Sequence, residues 1–504
     1  MLYQYKDIDR HVEIDCDVCV VGSGAGGAVV SKELAEAGLN VVLVEEGGYF
    51  TTKDFKVDDT IWSTTNLYRD GGATIIMGKP SVMLAEGRCV GGSTTINGAM
   101  CWRTPEKVFK RWQWERGLHD ITAKSMEPYF SKVEETIHAK SILPEAKNQD
   151  SELLRLGAEK LGYRYRANIR SQDHCVGANM CITGCPTGAK HSTLVNYIPA
   201  FLNKGGNLFS NCRVHRVKTK RGKVTGITGW FVDPETKEKK YKLKVKSPVV
   251  IVSGGAIQTP ALLKKSGIRD ETSLLGKNLL VHPNMKVVAA FEDDVRAWQG
   301  VNQGYQITEF QEEGLLMGVN FTSPGVLALA MPLEGNQMLQ MLKKEFNHLV
   351  MGGALIEDTG SGTVYVGPFD TVVPTYKLNE HDFRQCIRGA ALLTEVFFAA
   401  GAKKCYLPFT GMHEINSPDD IPKIFQLKLK PAELELLTVH VMGTVPMGSQ
   451  AHNSVLNSYG GFHNVTGLYV ADASVFPTSI GVNPQVTIMA LATRTAEYIA
   501  NRFK

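Results

Sequence analysis

Residues 15–48, DCDVCVVGSGAGGAVVSKELAEAGLNVVLVEEGG, constrain the fold more than any other stretch of the chain. An apolar run at Asp17 to Val21 meets the glycine cluster 22–27; Ala28 to Ala37 has helical spacing, Gly38 can end that helix, and Val41 to Val44 is a second apolar run. The order strand, turn, helix, turn, strand is a β-α-β nucleotide-binding unit. Gly22 permits the tight turn, Gly24 lets backbone approach a pyrophosphate, and Gly27 lets helix and sheet pack closely. The phosphates then sit on the helix N-terminus. Glu45 closes the second strand, about 20 residues past the glycines, where a carboxylate accepts both ribose hydroxyls and repels a 2′-phosphate. The unit alone does not separate FAD from NAD.

A chain of 504 residues suggests two or more folding units with a sizeable core, and 43% hydrophobic with 21% charged residues is a globular composition. A formal charge of +4 with no long basic run gives no case for nucleic acid or a membrane surface. The N-terminus MLYQYKDIDRHVEID lacks the apolar core of a signal peptide, and no run of 18 apolar residues occurs, so a cytoplasmic home and no transmembrane segment are expected. Ten cysteines in that setting read as thiols or metal ligands rather than disulfides.

Further along, EGRCVGGSTTINGAM at 86–100 packs small residues against polar ones and can bring backbone close to a flat ligand, although glycine clusters also mark ordinary turns. Residues 105–162 read as mainly helical. Pro248 to Ser253 is a buried strand, and Thr259-Pro260 is read as the start of a helix. Strand-like runs at Lys286 to Ala290, Gly304 to Phe310 and Gly362 to Val366, with helix around Glu380 to Ala400, mark a change of character. The last 70 residues return to the nucleotide style, with a loop HVMGTVPMGS, a strand Gly467 to Ala471 and a C-terminal helix.

On these motifs the chain resembles the glucose-methanol-choline (GMC) oxidoreductases, a family of FAD-dependent alcohol oxidases and dehydrogenases. The resemblance runs nearly end to end: GSGAGG with Glu45, GGSTTIN, GAIQTPALLKKSGI, GKNLLVHP, HVMGTVPMG and GLYVADASVFPTSIGVNPQVTIMALA, in the family's order. Two departures are Arg269, where the second signature usually ends in glycine, and Val281, where an aspartate is common before His282. The fold implied is α/β, a Rossmann-like FAD-binding domain of the p-hydroxybenzoate hydroxylase-like type interleaved with a sheet-based α+β substrate domain. The expected divisions are 10–110, 191–284 and 436–504 for the FAD domain, 111–190 for a helical connection with a cysteine-rich loop, and 285–435 for the substrate domain.

The resemblance further implies Gly22, Gly24 and Gly27 at the FAD pyrophosphate and Glu45 on the adenosine ribose. Gly92, Ser93, Asn97, Asp472, Ala473 and Pro484 are expected along the riboflavin side. Some members bind flavin covalently through a histidine just before the equivalent of Asn97; here that residue is Ile96, so the expected FAD is dissociable. Alcohol oxidation needs a group to take the hydroxyl proton and a donor aimed at the developing alkoxide. Neutral imidazole suits the first and a fixed amide the second. The family's histidine and asparagine positions match His440 and Asn483. Taken alone, His440 reads first as a structural loop histidine and Asn483 as a turn residue before proline; the resemblance reverses both readings. No role attaches to His282, His452 or His463.

Cys175, Cys181 and Cys185 are separated by five and then three residues, and Cys185 precedes Pro186. Thiolates ligate iron-sulfur clusters, and a bacterial cysteine run ends in Cys-Pro. Some GMC sugar dehydrogenases resemble this spacing and carry a 3Fe-4S cluster there; related long-chain alcohol oxidases have cysteine-rich loops at this position that simply pack. Zinc needs a fourth ligand, with His174 or His191 available. All three readings stay open.

The expected activity is oxidation of an alcohol or sugar hydroxyl, with a dehydrogenase favoured over an O₂-using oxidase and a non-redox flavin lyase as a further alternative. Candidate electron acceptors are a small protein, a quinone or O₂. An NAD(P)-dependent dehydrogenase shares the glycine unit but has no need of the C-terminal loop-strand-helix segment.

Overall fold

The computed structural model describes residues 1–503 apart from 58, 143–145, 322, 334 and the side chain of 329. Six mutually parallel strands form the nucleotide-type sheet, in the order Leu2–Tyr3, Asn207–Phe209, Val41–Val44, Val18–Val21, Val249–Val252, Leu468–Val470. The runs VCVV and VVLV are buried at every position, as strands covered on both faces must be. Because these strands come from both ends and the middle of the chain, this Rossmann-like domain is complete only when distant segments meet. The helix Gly27–Glu36 packs against the C-terminal helix Gln485–Phe503.

The second sheet is mixed and larger. Its main path runs Lys277–Leu279, Gly362–Val366, Val372–Tyr376, Thr74–Gly78, Val82–Leu84, Leu436–Thr438, Asn284–Ala290, Leu349–Ile356, Leu315–Val319, Tyr305–Ile307, Tyr165–Ala167. The stretch 285–435 supplies most of it, but Thr74–Gly78, Val82–Leu84 and Tyr165–Ala167, read from sequence as nucleotide-domain or connecting segments, pair into it as well. Two domains sharing strands in this way are interleaved.

The strand Leu349–Ile356 divides the two faces of this sheet. Side chains alternate along a strand, so Gly352 and Ala354 meet the helix Glu380–Ala400, through Leu393 and Phe397 at Gly352 and through Gly389 at Ala354. Met351, Gly353 and Leu355 point instead into a large cleft. That helix starts on the side chain of Asn379, which accepts from Asp382 N, and stops at Gly401 with φ +104°.

Two local expectations are corrected. The helix read as starting at Thr259-Pro260 begins at Gly255, with Pro260 inside it. Proline leaves the Ala256 carbonyl without its helical donor, and Thr444 Oγ1 donates to that carbonyl at 2.6 Å. The strand expected over 304–310 is only Tyr305–Ile307, because the chain turns at Thr308, whose carbonyl accepts from Gln311 N.

Candidate active site

A cleft of about 1300 Å³ runs between the two sheets, larger than the roughly 300–1,000 Å³ of a pocket for one small ligand. Gly22, Gly24, Glu45, Gly92, Ser93, Asn97, His440, Asp472, Ala473, Asn483 and Pro484 all line it. Of the expected nucleotide and flavin residues Gly27 does not, because it packs behind the turn: a Cβ there would lie 1.8 Å from Gly22 O. Gly22 itself has φ +98°. Sequence reading missed Gly26, where a Cβ would lie 1.7 Å from Ala471 O and part the two segments. At Gly24, by contrast, a Cβ would find only Gly92 Cα at 4.0 Å, so this backbone is open to a ligand.

Glu45 is buried at the end of its strand. Its Oε2 accepts from Ser23 N and Ser23 Oγ at 2.9 and 2.8 Å, and its Oε1 from Gly47 N at 2.8 Å. Burial pushes its carboxyl above the usual value against those hydrogen bonds. An ionised carboxylate offers about four acceptor sites, so capacity remains toward the cleft. Asp472 is a brace: it accepts from Gly255 N at 2.9 Å, Thr259 Oγ1 at 2.5 Å and Ser474 N at 2.8 Å, tying the helix Gly255–Lys265 to the strand Leu468–Val470. Asn97 donates to Gln485 Oε1 and accepts from Ala99 N at 3.0 Å, which fixes the 92–97 segment against the last helix.

His440 and Asn483, from separate segments, converge on the cleft with His440 Nε2 and Asn483 Nδ2 3.3 Å apart. Behind them stands His282, to which no role was given from sequence. Its Nδ1 lies 3.4 Å from His440 Nδ1 with the rings perpendicular, and its Nε2 accepts from Gly481 N at 3.1 Å. At 3.4 Å the contact between the imidazoles is too long to dictate which nitrogen of His440 carries its proton. Val281 N and His282 N donate to Asp358 at 2.8 and 3.3 Å. A carboxylate just past the strand Leu349–Ile356 thus holds the backbone at Val281 and His282. The GKNLLVHP motif was the signal for His282.

Burial, with the neighbouring Lys286 cation second, pushes His440 down to about 4. The ring is therefore neutral at neutral pH. Lys286, also unforeseen, is buried in the cleft wall, and burial pushes its amine down to about 7.

Cys175, Cys181 and Cys185 lie on a loop whose residues 178–180 and 182–183 line the same cleft. Cys181 Sγ accepts from Arg170 Nη2 at 3.2 Å, and Cys185 Sγ from Lys190 N at 3.4 Å. Burial raises the Cys175 thiol, with Cys181 and Cys185 near enough to add to the shift. Among the described residues the three sulfurs and a histidine do not gather as ligands of a single ion. Among the described residues, His138, Asp173 and His191 are the group that brings three ligand atoms within 4.8 Å of one another. There the two imidazoles stack at 4.2 Å and 19°, so their in-plane lone pairs run side by side rather than converge.

Residues 64–284 and 361–492 match the N-terminal and C-terminal domains described as GMC oxidoreductase. An uncharacterised GMC-type oxidoreductase of Sinorhizobium fredii is 32% identical over 493 residues, covering 97% of this chain and 95% of its own. A long-chain-alcohol oxidase of Arabidopsis thaliana is 28% identical, covering 96% of this chain and 68% of its own. Pyridoxine 4-oxidase from Mesorbium loti has the same fold, with a TM-score of 0.74 at 17% identity over 96% of this chain and 99% of its own.

Proposed function

The chain belongs to the GMC oxidoreductase family, and from that premise and the cleft we propose that this oxidoreductase uses non-covalent FAD to oxidise a CH–OH group to a carbonyl. The observation that carries the reading is the 3.3 Å meeting of His440 and Asn483 in the cleft that also holds Gly24 and Glu45. The cleft fits FAD: the open backbone at Gly24, the helix N-terminus behind it and the spare acceptor capacity of Glu45 suit a dinucleotide. Gly92, Ser93, Asn97, Asp472, Ala473 and Pro484 would hold its flavin side. Ile96 offers no atom for a covalent link. When bound, FAD supplies the hydride acceptor.

The protein's own part is proton chemistry and orientation. His440, neutral well below pH 7, takes the alcohol proton at its cleft-facing nitrogen. Asn483 aims its amide at the same oxygen as negative charge develops, and cannot itself take the proton. His282, whose backbone N–H donates to Asp358, stands behind the His440 ring. A dehydrogenase is favoured over an O₂-using oxidase of the same family, and over a flavin lyase without net redox. A reducing compartment such as the cytoplasm suits the ten cysteines, all of them unpaired.

The test is anaerobic mixing of the yellow protein with a panel of alcohols and sugars. Bleaching of the flavin supports the reading and excludes the lyase alternative; reoxidation by dye acceptors but not by O₂ identifies a dehydrogenase.

A second reading concerns the cysteine loop. Arg170, whose Nη2 donates to Cys181 Sγ, and Lys190, whose Nζ donates to the Cys181 carbonyl, are buried at the cysteine loop and make no ion pair with a carboxylate among the described residues. Buried cations need compensation, and an anionic 3Fe-4S cluster on Cys175, Cys181 and Cys185 would supply it, together with one-electron relay. A polynuclear cluster also spaces its thiolates more widely than a single ion does. About three irons per FAD in protein purified anaerobically supports this; iron-free protein with normal flavin reduction rejects it.

A further inference from the structure

The cleft wall opposite the nucleotide-type sheet contains an arrangement that alcohol oxidation as such does not require. Lys286 on the strand Asn284–Ala290 pairs across the sheet with Gly353; Gly353 pairs with Gly318, and Gly318 with Gln306. Directly paired residues of an antiparallel sheet share a face, and all four line the cleft. Two adjacent glycines therefore form the floor of a trough, with a lysine at one side and a glutamine at the other.

The arms lie over that floor. A Cβ at Gly353 would come within 2.6 Å of Asn284 Oδ1 and 2.7 Å of Lys286 Nζ, and one at Gly318 within 2.9 Å of Gln306 Cγ. Lys286 Nζ donates to Asn284 Oδ1 at 2.8 Å and to Asn320 Oδ1. It makes no ion pair with a carboxylate among the described residues. Lys286 is 7% exposed and Gln306 6%. The Oε1 atoms of Gln306 and of Gln303, which also lines the cleft, are buried without a hydrogen-bond partner.

We propose that Lys286, Asn284, Asn320 and Gln306 form a subsite that selects alcohols bearing further oxygen groups, polyols or polyhydroxy acids, over long-chain alkanols. The inference rests on the proposed alcohol oxidation at His440 and names the substrate class of that site. Buried acceptors such as Gln306 Oε1 lack a donor, and a hydroxyl supplies one; an ammonium held only by neutral amides takes a hydroxyl or carboxylate oxygen as a further acceptor. An alkyl chain gives neither group a partner. A site built to hydrogen-bond a substrate oxygen rejects analogues lacking it far more strongly than an apolar pocket rejects an added hydroxyl.

The holoenzyme is mixed anaerobically with glucitol, gluconate or 1-octanol, and kcat/KM for flavin reduction is compared between wild type, Lys286→Met and Gln306→Leu. The subsite predicts that glucitol or gluconate outperforms 1-octanol in the wild type, and that the ratio of polyol to alkanol kcat/KM falls roughly 10²-fold in Lys286→Met, chiefly through KM. Preference for gluconate assigns a carboxylate to Lys286, and preference for glucitol a hydroxyl; both support the subsite. Gln306→Leu approaches the trough from its other side and should shift the ratio in the same direction even where Lys286→Met does not fold. Reduction by 1-octanol alone, or a ratio unmoved in the folded variants, overturns the subsite while leaving alcohol oxidation standing. A flavin that none of the three alcohols reduces overturns the parent reading instead.

Discussion

The Nδ1 atoms of His282 and His440 lie 3.4 Å apart with their rings perpendicular, and the far nitrogen of His282 is pinned by Gly481 N at 3.1 Å. The orientation of the cleft histidine is thus referred to a fixed backbone amide one ring away. His282→Ala should slow flavin reduction by roughly 10-fold to 10²-fold through loss of alignment. It should also lower Tm, because a buried amide loses its acceptor. The check is rapid-mixing kinetics beside a thermal melt. Wild-type kinetics in the variant would show that His282 does not orient His440.

Since His440 is held at about 4, the protonated and inactive form is reached only in acid. Flavin reduction should stay level from pH 7 down to about 5 and fall as pH drops toward 4. A histidine of ordinary pKa, about 6.5, would already cost rate near pH 6. The Lys286 cation contributes to the depression, so in Lys286→Met the acid limb should move upward.

Lys286 carries its own pH signature in stability. Its amine sits at about 7 when folded and at 10.5 as a free side chain. The unfolded chain keeps its proton between those values while the folded one releases it, so stability climbs with pH across that window. Below about pH 7 the full penalty of the buried cation remains. Replacing Lys286 with Met should therefore change Tm relative to wild type most favourably near pH 6, and the relative gain should shrink by pH 9. A difference independent of pH would show that the amine is not depressed.

Much of the architecture was legible because period and punctuation carry it. VCVV and VVLV around GSGAGG, the strand Gly362–Val366 and the helix Glu380–Ala400 all follow from apolar pattern and caps. The pairing of His440 with Asn483, 43 residues apart, came from family resemblance, since no spacing rule brings a loop onto a helix start at that distance. Lys286 was hidden because NMKVVAA reads as an apolar strand with one interruption. Only the register that sets Gly353 and Gly318 beside it makes the interruption a trough. Thr74–Gly78 falls in the stretch assigned from sequence to the FAD domain, and its place in the second sheet was hidden because its strand partners lie elsewhere in the chain.

Two neighbouring glycines should respond oppositely to one added methyl. Gly26→Ala places a Cβ 1.7 Å from Ala471 O, backbone against backbone, and should cost several kcal/mol or prevent folding. Gly24→Ala meets only Gly92 Cα at 4.0 Å, so the protein should fold with a near-native Tm and lose FAD on dilution. Melts and the FAD to protein absorbance ratio distinguish them. Full FAD retention in Gly24→Ala would remove the pyrophosphate from that position.

The most direct measurement is anaerobic rapid mixing of wild type and His440→Ala with whichever alcohol of the panel bleaches the flavin fastest. The cleft geometry predicts bleaching in the wild type, and in the variant retained FAD with reduction slowed by roughly 10²-fold or more, the scale of a lost general base. Asn483→Ala should lose as much or less. A wild-type flavin that no alcohol reduces, or a folded His440→Ala protein that reduces as fast as wild type, would contradict alcohol oxidation at this histidine.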